Sequence, residues 1–161
     1  MIADSFDSSG EPVREVAPRS LVVMHEYPKI QSIFKRDEHT HKFRLGEWSL
    51  PEFGYLACCE WEMTEKVDGT NIRVGWRQDT ANLGRVIFAG RTESAQMYTP
   101  LIARLQDLFP PEKLKALYPD LTITLYCEGY GARIQKGGGN YNPHGVDVVL
   151  FDVMVDSRWW L

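Results

Sequence analysis

The sequence predicts an α+β protein in which antiparallel strands carry a few packed helices. Three observations lead to this class. Runs with alternating apolar and polar residues are bounded by turn residues. One segment, 99–109, shows helical periodicity behind a proline start. A tight-turn signal, Asp68-Gly69, lies between two strand-like runs, as in an antiparallel hairpin. With 161 residues, 43% hydrophobic and 25% charged, the chain has room for one domain with a core.

Residues 1–20 are polar and acidic, without the basic start and apolar stretch of a secretory leader, and read as a flexible lead-in. Residues 21–161 read as a single domain without internal repeats. Residues 21–24, LVVM, form a short strand pattern. The stretch IQSIFKRD reads as a short helix or turn, and residues 43–56 are broken up by Gly46, Pro51 and Gly54. In CEWEMTEKV, Trp61, Met63 and Val67 alternate with charged residues. Asp68-Gly69 is a tight-turn signal, and NIRVGW follows, so a β-hairpin is expected around the turn. A second turn, QDTANLG, leads into the strand RVIFAG.

Thr99 is placed to cap a helix and Pro100 to occupy its first position, with Leu101, Ile102, Leu105, Leu108 and Phe109 on one face. Pro110-Pro111 ends it, and EKLKALY forms a second, shorter helix. LTITLYCEGYG is an alternating strand. QKGGGNYNPHG is a glycine-rich loop, either a plain connector or a donor of backbone amides to phosphate. VDVVLFDVMV is apolar throughout and is expected to be buried on both faces.

Charge and cysteines narrow the function classes. A net charge of −4 argues against strong nonspecific nucleic-acid binding by the whole chain, yet leaves room for a local basic groove. Lys29, Lys35 and Arg36 cluster in sequence, as do Arg133 and Lys136, and each cluster reads equally well as solvated surface. Cys58, Cys59 and Cys127 form neither a disulfide framework nor a metal knuckle, and the four histidines lack zinc spacing with them. A reducing, cytoplasmic setting is the natural reading, and no apolar run approaches the roughly 20 residues that cross a bilayer.

The residue with most chemical promise is Lys66, followed by Val67-Asp68-Gly69. Alone, KxDG reads as a surface hairpin. Within EKVDGTN, however, it resembles the signature of the covalent nucleotidyltransferases: RNA ligases, DNA ligases and mRNA capping enzymes. Three further elements occur in that superfamily's order. They are Arg91 in GRT at a strand end, Glu128 in CEGYG, and Phe151 in VLFDV. Individually Arg91 reads as an exposed arginine, Glu128 as the flank of a glycine turn and Phe151 as core. Together with YPKIQSIFKRD and EGYGARIQKGGGNY they look like the phage and bacterial branch of the ATP-dependent RNA ligases, over residues 25–155.

The resemblance implies a fold and a set of roles. The fold is the nucleotidyltransferase adenylation fold. Lys66 attacks the α-phosphate of ATP to form lysyl-AMP, AMP passes to an RNA 5′-phosphate, and a 3′-hydroxyl displaces it. Arg91 contacts ribose or phosphate, Glu128 accepts ribose hydroxyls, and Phe151 stacks on adenine. Glu65 contacts adenine through its backbone, and Asn71 lies near the ribose or the metal. ATP and Mg²⁺ (or Mn²⁺) are the expected cofactors, with no metal ligands identified. RNA ends, nicked duplexes included, are the expected partners, and the oligomeric state is left open. An attacking amine must be neutral, a state that burial and nearby cations such as Arg91 and Mg²⁺ favour. The superfamily's downstream glutamate motif and paired-lysine motif do not follow Phe151. The chain is therefore expected to be a C-terminally truncated domain with weak or no adenylation of its own. A DNA ligase, a capping-type transferase and a noncatalytic nucleotide- or RNA-binding module are the alternatives.

Overall fold

The computed structural model describes residues 24–78, 84–92 and 94–160. The lead-in and three residues of the LVVM strand lie outside them, as does most of the QDTANLG turn. Met24 itself is in no strand.

Two sheets form. The smaller pairs β1 (Phe34–Arg36) with β2 (Phe43–Trp48), antiparallel, next to helix α1 (Pro51–Leu56). Residues of IQSIFKRD, expected as helix or turn, thus supply a strand. Phe34 stacks on Trp48 across the pair, with ring centroids 5.0 Å apart, and this cross-strand contact outweighs the weak local helix signal.

The larger sheet has five strands in the order β4-β3-β5-β6-β7, every pair antiparallel. The strands are β3 (Thr70–Gln78), β4 (Gly84–Ala89), β5 (Ile123–Gly131), β6 (Val146–Val155) and β7 (Arg158–Trp159). The α+β reading with antiparallel strands and few helices is therefore correct. Helices α2 (Thr99–Leu108) and α3 (Pro111–Leu117) cover one face of this sheet.

Alternation on the central strands builds that face. Ile72 and Val74 of β3 and Cys127 of β5 meet Leu101 and Leu105, one helical turn apart on α2. Trp76 and Ile123 meet Leu114 of α3, and the Trp76 indole donates to the Tyr118 carbonyl at 2.9 Å. The α2 start is one residue earlier than expected. Tyr98 is the cap and Thr99 the first helical residue, so Thr99 makes no side-chain cap.

Two strand expectations fail. Residues 61–67 form no strand, and Met63 is 93% exposed. Asp68-Gly69 is a bend leading into β3, because the Asp68 carboxylate is engaged by a distant loop and no strand pairs with 61–67. The apolar run of β6 is not buried on both faces, since Leu150 is 50% and Phe151 44% exposed. The short β7 pairs only with Met154 and Val155, which leaves the rest of β6 at the sheet edge. Among the described residues, no helix is long and apolar enough to cross a membrane.

Candidate functional site

The face of the large sheet opposite α2 and α3 carries the alternate residues of the same strands. Asn71 and Glu128 are direct partners on β3 and β5, so their side chains project from the same face at the same level. Arg73 and Tyr126, the next cross-strand pair on that face, are fully buried. A segment preceding β1 covers them. Arg73 donates from Nη1 to the Met24 carbonyl at 2.7 Å, and Tyr126 donates its hydroxyl to the His25 carbonyl at 3.0 Å.

Lys66 is exposed, contrary to the burial expected of its amine, and sits in irregular chain before the bend. Its neighbourhood is nevertheless organised. Burial pushes the Glu128 carboxyl above its ordinary range, while the Lys66 charge and the Gly69 N–H pull it down and Asp68 pushes it up. Lys66, Asp68, Gly69 and Glu128 thus share one electrostatic environment. A Cβ on Gly69 would overlap the Gly129 carbonyl oxygen and crowd the Glu128 side chain. Glycine is required there for packing of the bend against β5.

A second set of contacts was not legible in the sequence. Gly137 N–H donates to the Asp68 carboxylate at 2.9 Å, and the Tyr141 hydroxyl donates to Glu65 at 2.8 Å. The Glu65 carboxylate also keeps the Tyr141 phenol protonated, raising its pKa. Loop 137–141 therefore clasps loop 65–69 from both ends. Of the two readings for the glycine-rich loop, the structure favours a connector that braces the lysine loop, with the Gly137 amide committed to Asp68. The side chain of Glu65 is spent on Tyr141. Arg133 and Gln135, in the connection leaving β5, adopt left-handed backbone with φ of 66° and 52°, a strained conformation of the kind that gathers near sites.

Phe151 belongs to an aromatic group on the face opposite α2 and α3. The register of β5 and β6 slips between Tyr126–Asp152 and Cys127–Leu150, making Phe151 the extra residue of a bulge. As a result Phe151 and Asp152 both meet Tyr27. The Phe151 ring lies edge-on at 5.0 Å, and Asp152 accepts the Tyr27 hydroxyl at 2.8 Å. Burial first, then this carboxylate, pushes the Tyr27 phenol up to about 12. Trp159 of β7 completes the group, 5.2 Å from Tyr126 and 5.6 Å from Tyr27.

Arg91 is exposed just beyond β4 and makes no hydrogen bond or ion pair among the described residues. The preceding Gly90 carbonyl is fixed by Arg73 Nε at 2.8 Å, which sets where Arg91 begins. Arg73 is thus a positioning residue missed in the sequence. Its signal was present: it alternates with Ile72 and Val74 on the same face as Asn71.

Among the described residues, two polar atoms on this face are buried without a partner, Asn71 Oδ1 and Arg73 Nη2. Buried polar atoms are nearly always bonded, so an unpaired acceptor beside Glu128 suits a ligand hydroxyl or amine. The donor set does not suit a dedicated metal centre. Among the described residues, no three His, Cys, Asp or Glu side chains gather as one. Mg²⁺ needs only one or two carboxylates when it arrives with substrate phosphates, and Asp68 and Glu128, which share the Lys66 environment, could serve it that way.

No protein-family model matches the chain, and no curated protein matches it. Among solved structures it is similar to an RNA ligase of Naegleria gruberi, determined with PPi. The identity is 26% over 56% of this chain, with a TM-score of 0.42. The chain spans about 25% of that protein's length. A similarity of that extent assigns neither the fold family nor the activity.

Proposed function

We propose that the chain carries the lysine site of an ATP-dependent RNA ligase, with the nucleotidyltransferase fold and Lys66 as the residue that takes AMP. The observation that carries this reading is the shared environment of Lys66 and Glu128, with the unpaired Asn71 Oδ1 on the same face. Glu128 and Asn71 offer acceptors for ribose hydroxyls. Phe151 offers a half-exposed ring for the base, a contact worth roughly 1–3 kcal/mol. Lys66 Nζ attacks the α-phosphorus of ATP. The N–P bond forms, the bond to the bridging oxygen breaks, pyrophosphate leaves and the amine gives up a proton. Mg²⁺ arriving with ATP screens the phosphate charge. AMP then passes to an RNA 5′-phosphate, and a 3′-hydroxyl displaces it.

The test is covalent labelling. Incubated with Mg²⁺ and α-labelled ATP and run on a denaturing gel, a form that also carries the superfamily's downstream glutamate and paired-lysine motifs keeps the label, and its Lys66→Ala variant does not. If that form takes no label from ATP or GTP, the ligase reading fails. Sealing of nicked RNA against nicked DNA separates it from a DNA ligase. A noncatalytic nucleotide- or RNA-binding module is the second reading, favoured by the exposure of Lys66. It predicts saturable ATP binding without covalent label.

A further inference from the structure

The basic residues ahead of the large sheet take no part in the lysine site, and the structure gathers them. Lys29, Lys35, Arg36 and Arg44 line one open cleft of about 560 Å³, with Glu38 as its one acidic residue. Over residues 29–44 the chain carries Lys29, Lys35, Arg36, Lys42 and Arg44 against Asp37 and Glu38, an excess of three positive charges in a protein of net charge −4. The cations differ in how they are held. Arg44 pairs with Asp37 at 3.1 Å, and Arg36 lies over the Phe43 ring, 4.0 Å from its centre. Lys29 and Lys35 have no ion-pair partner among the described residues, so their charges face the cleft uncompensated.

Among the described residues, the β1–β2 hairpin beside them is only lightly covered, by α1. Every residue of β2 is exposed, including Phe43 and the 80%-exposed Leu45, and α1 buries none of its residues. An isolated two-stranded ribbon is marginal in water and gains from a partner. Uncompensated lysines beside exposed aromatic rings fit a single-stranded polynucleotide, which offers phosphates to the first and base faces to the second.

We propose that the β1–β2 hairpin and its basic cleft are a docking surface for single-stranded RNA, with Lys29 and Lys35 contacting phosphates and Phe43 offering a face to a base. The choice of RNA rests on the ligase reading above, whereas the polyanion surface rests on the cleft alone. The experiment is fluorescence anisotropy of a labelled single-stranded RNA oligonucleotide across a salt series. Changing Lys29→Ala together with Lys35→Ala weakens binding roughly tenfold and flattens the log–log salt dependence by about 1.4, two lost single-strand phosphate contacts. The corresponding arginine pair retains affinity within about twofold, and Lys113→Ala on α3 leaves it unchanged. Absence of RNA binding by the unaltered protein, an unchanged affinity in the alanine pair, or an equal loss in Lys113→Ala overturns the proposal. Labelling of Lys66 by ATP is read in parallel. If label never forms but the alanine pair loses RNA selectively, the ligase reading falls and the docking surface stands.

Discussion

Tyr141 donates its hydroxyl to the Glu65 carboxylate across 2.8 Å, joining residues 76 positions apart at the edge of the lysine loop. The bond is exposed, so its net worth is at the low end of the roughly 0.5–1.5 kcal/mol of an intramolecular hydrogen bond. Tyr141→Phe keeps the ring against Tyr130 and removes only this bond. Global stability to urea should change by less than about 1 kcal/mol, while amide exchange across residues 65–69 accelerates. Unchanged exchange there would mean that Asp68 and Gly137 hold the loop without Tyr141.

Gly69 and Gly129 lie against each other where the lysine loop meets β5, and alanine should have different effects at the two positions. At Gly129 a Cβ would come within 2.6 Å of a Leu101 methyl and 3.2 Å of Ile72, a side-chain clash that repacking partly relieves at about 1–3 kcal/mol. At Gly69 the obstacle is the Gly129 backbone carbonyl, which cannot rotate away. Gly69→Ala should therefore displace the loop and abolish Lys66 labelling, with the core transition largely kept. Calorimetry and the labelling gel, run on both variants, distinguish these outcomes.

Much of the large sheet was legible because its signals are local and concordant. Thr99 to Phe109 repeats every three to four residues behind a proline, and β5 alternates cleanly. The β1–β2 pair was hidden because cross-strand stacking of Phe34 on Trp48 is non-local. The failed hairpin at Asp68-Gly69 has the same origin. The dipeptide is a strong turn signal, but Gly137, 69 residues away, claims the aspartate. In the site, Asn71 and Glu128 are brought into register by β3 and β5, as their positions on alternating strands allow. The clasp of Tyr141 on Glu65 and the Arg73 support of Gly90 depend on loop placement that no spacing encodes.

Glu128 carries a pH signature with a definite sign. Its folded pKa is raised, chiefly by burial, so folding penalises the ionised form. Below the ordinary glutamate range the side chain is protonated in both states and there is no penalty. The penalty is complete once pH exceeds the folded value. Glu128→Gln should match the parent in urea unfolding near pH 4 and be the more stable of the two near pH 8, while nucleotide labelling falls. Lower stability of the variant at pH 8 would contradict a buried, disfavoured carboxylate.

Asp37 behaves in the opposite sense. It accepts hydrogen bonds from the Thr40 amide, Arg44, the Thr40 hydroxyl and the His39 amide, and these hold its carboxyl at about 2 against an ordinary 3.8. Its support of the turn between β1 and β2 is therefore complete above pH about 4 and lost as pH falls through about 2. Amide exchange in residues 34–48 should rise over that window, and Asp37→Asn should raise it above the window and match the parent below it. A turn whose exchange ignores both changes is held by something other than this carboxylate.

The three cysteines give a direct probe of the core. Cys58 and Cys59 are exposed, whereas Cys127 lies under α2 and burial pushes its thiol up to about 12. At pH 8 the reactive thiolate at Cys127 is then about one part in ten thousand, and no alkylating reagent reaches it without an opening of the sheet from the helix. Iodoacetamide should add quickly to the two exposed thiols of the folded protein, and to the third only as fast as the core opens. Leu105→Ala, which removes a fully buried side chain over the same sheet face, should cost about 2–5 kcal/mol and speed the third addition in proportion. Mass spectrometry over time separates the additions. Equal rates at all three cysteines in the unaltered protein would show that α2 does not seal β5 as the packing of Leu101 and Leu105 requires.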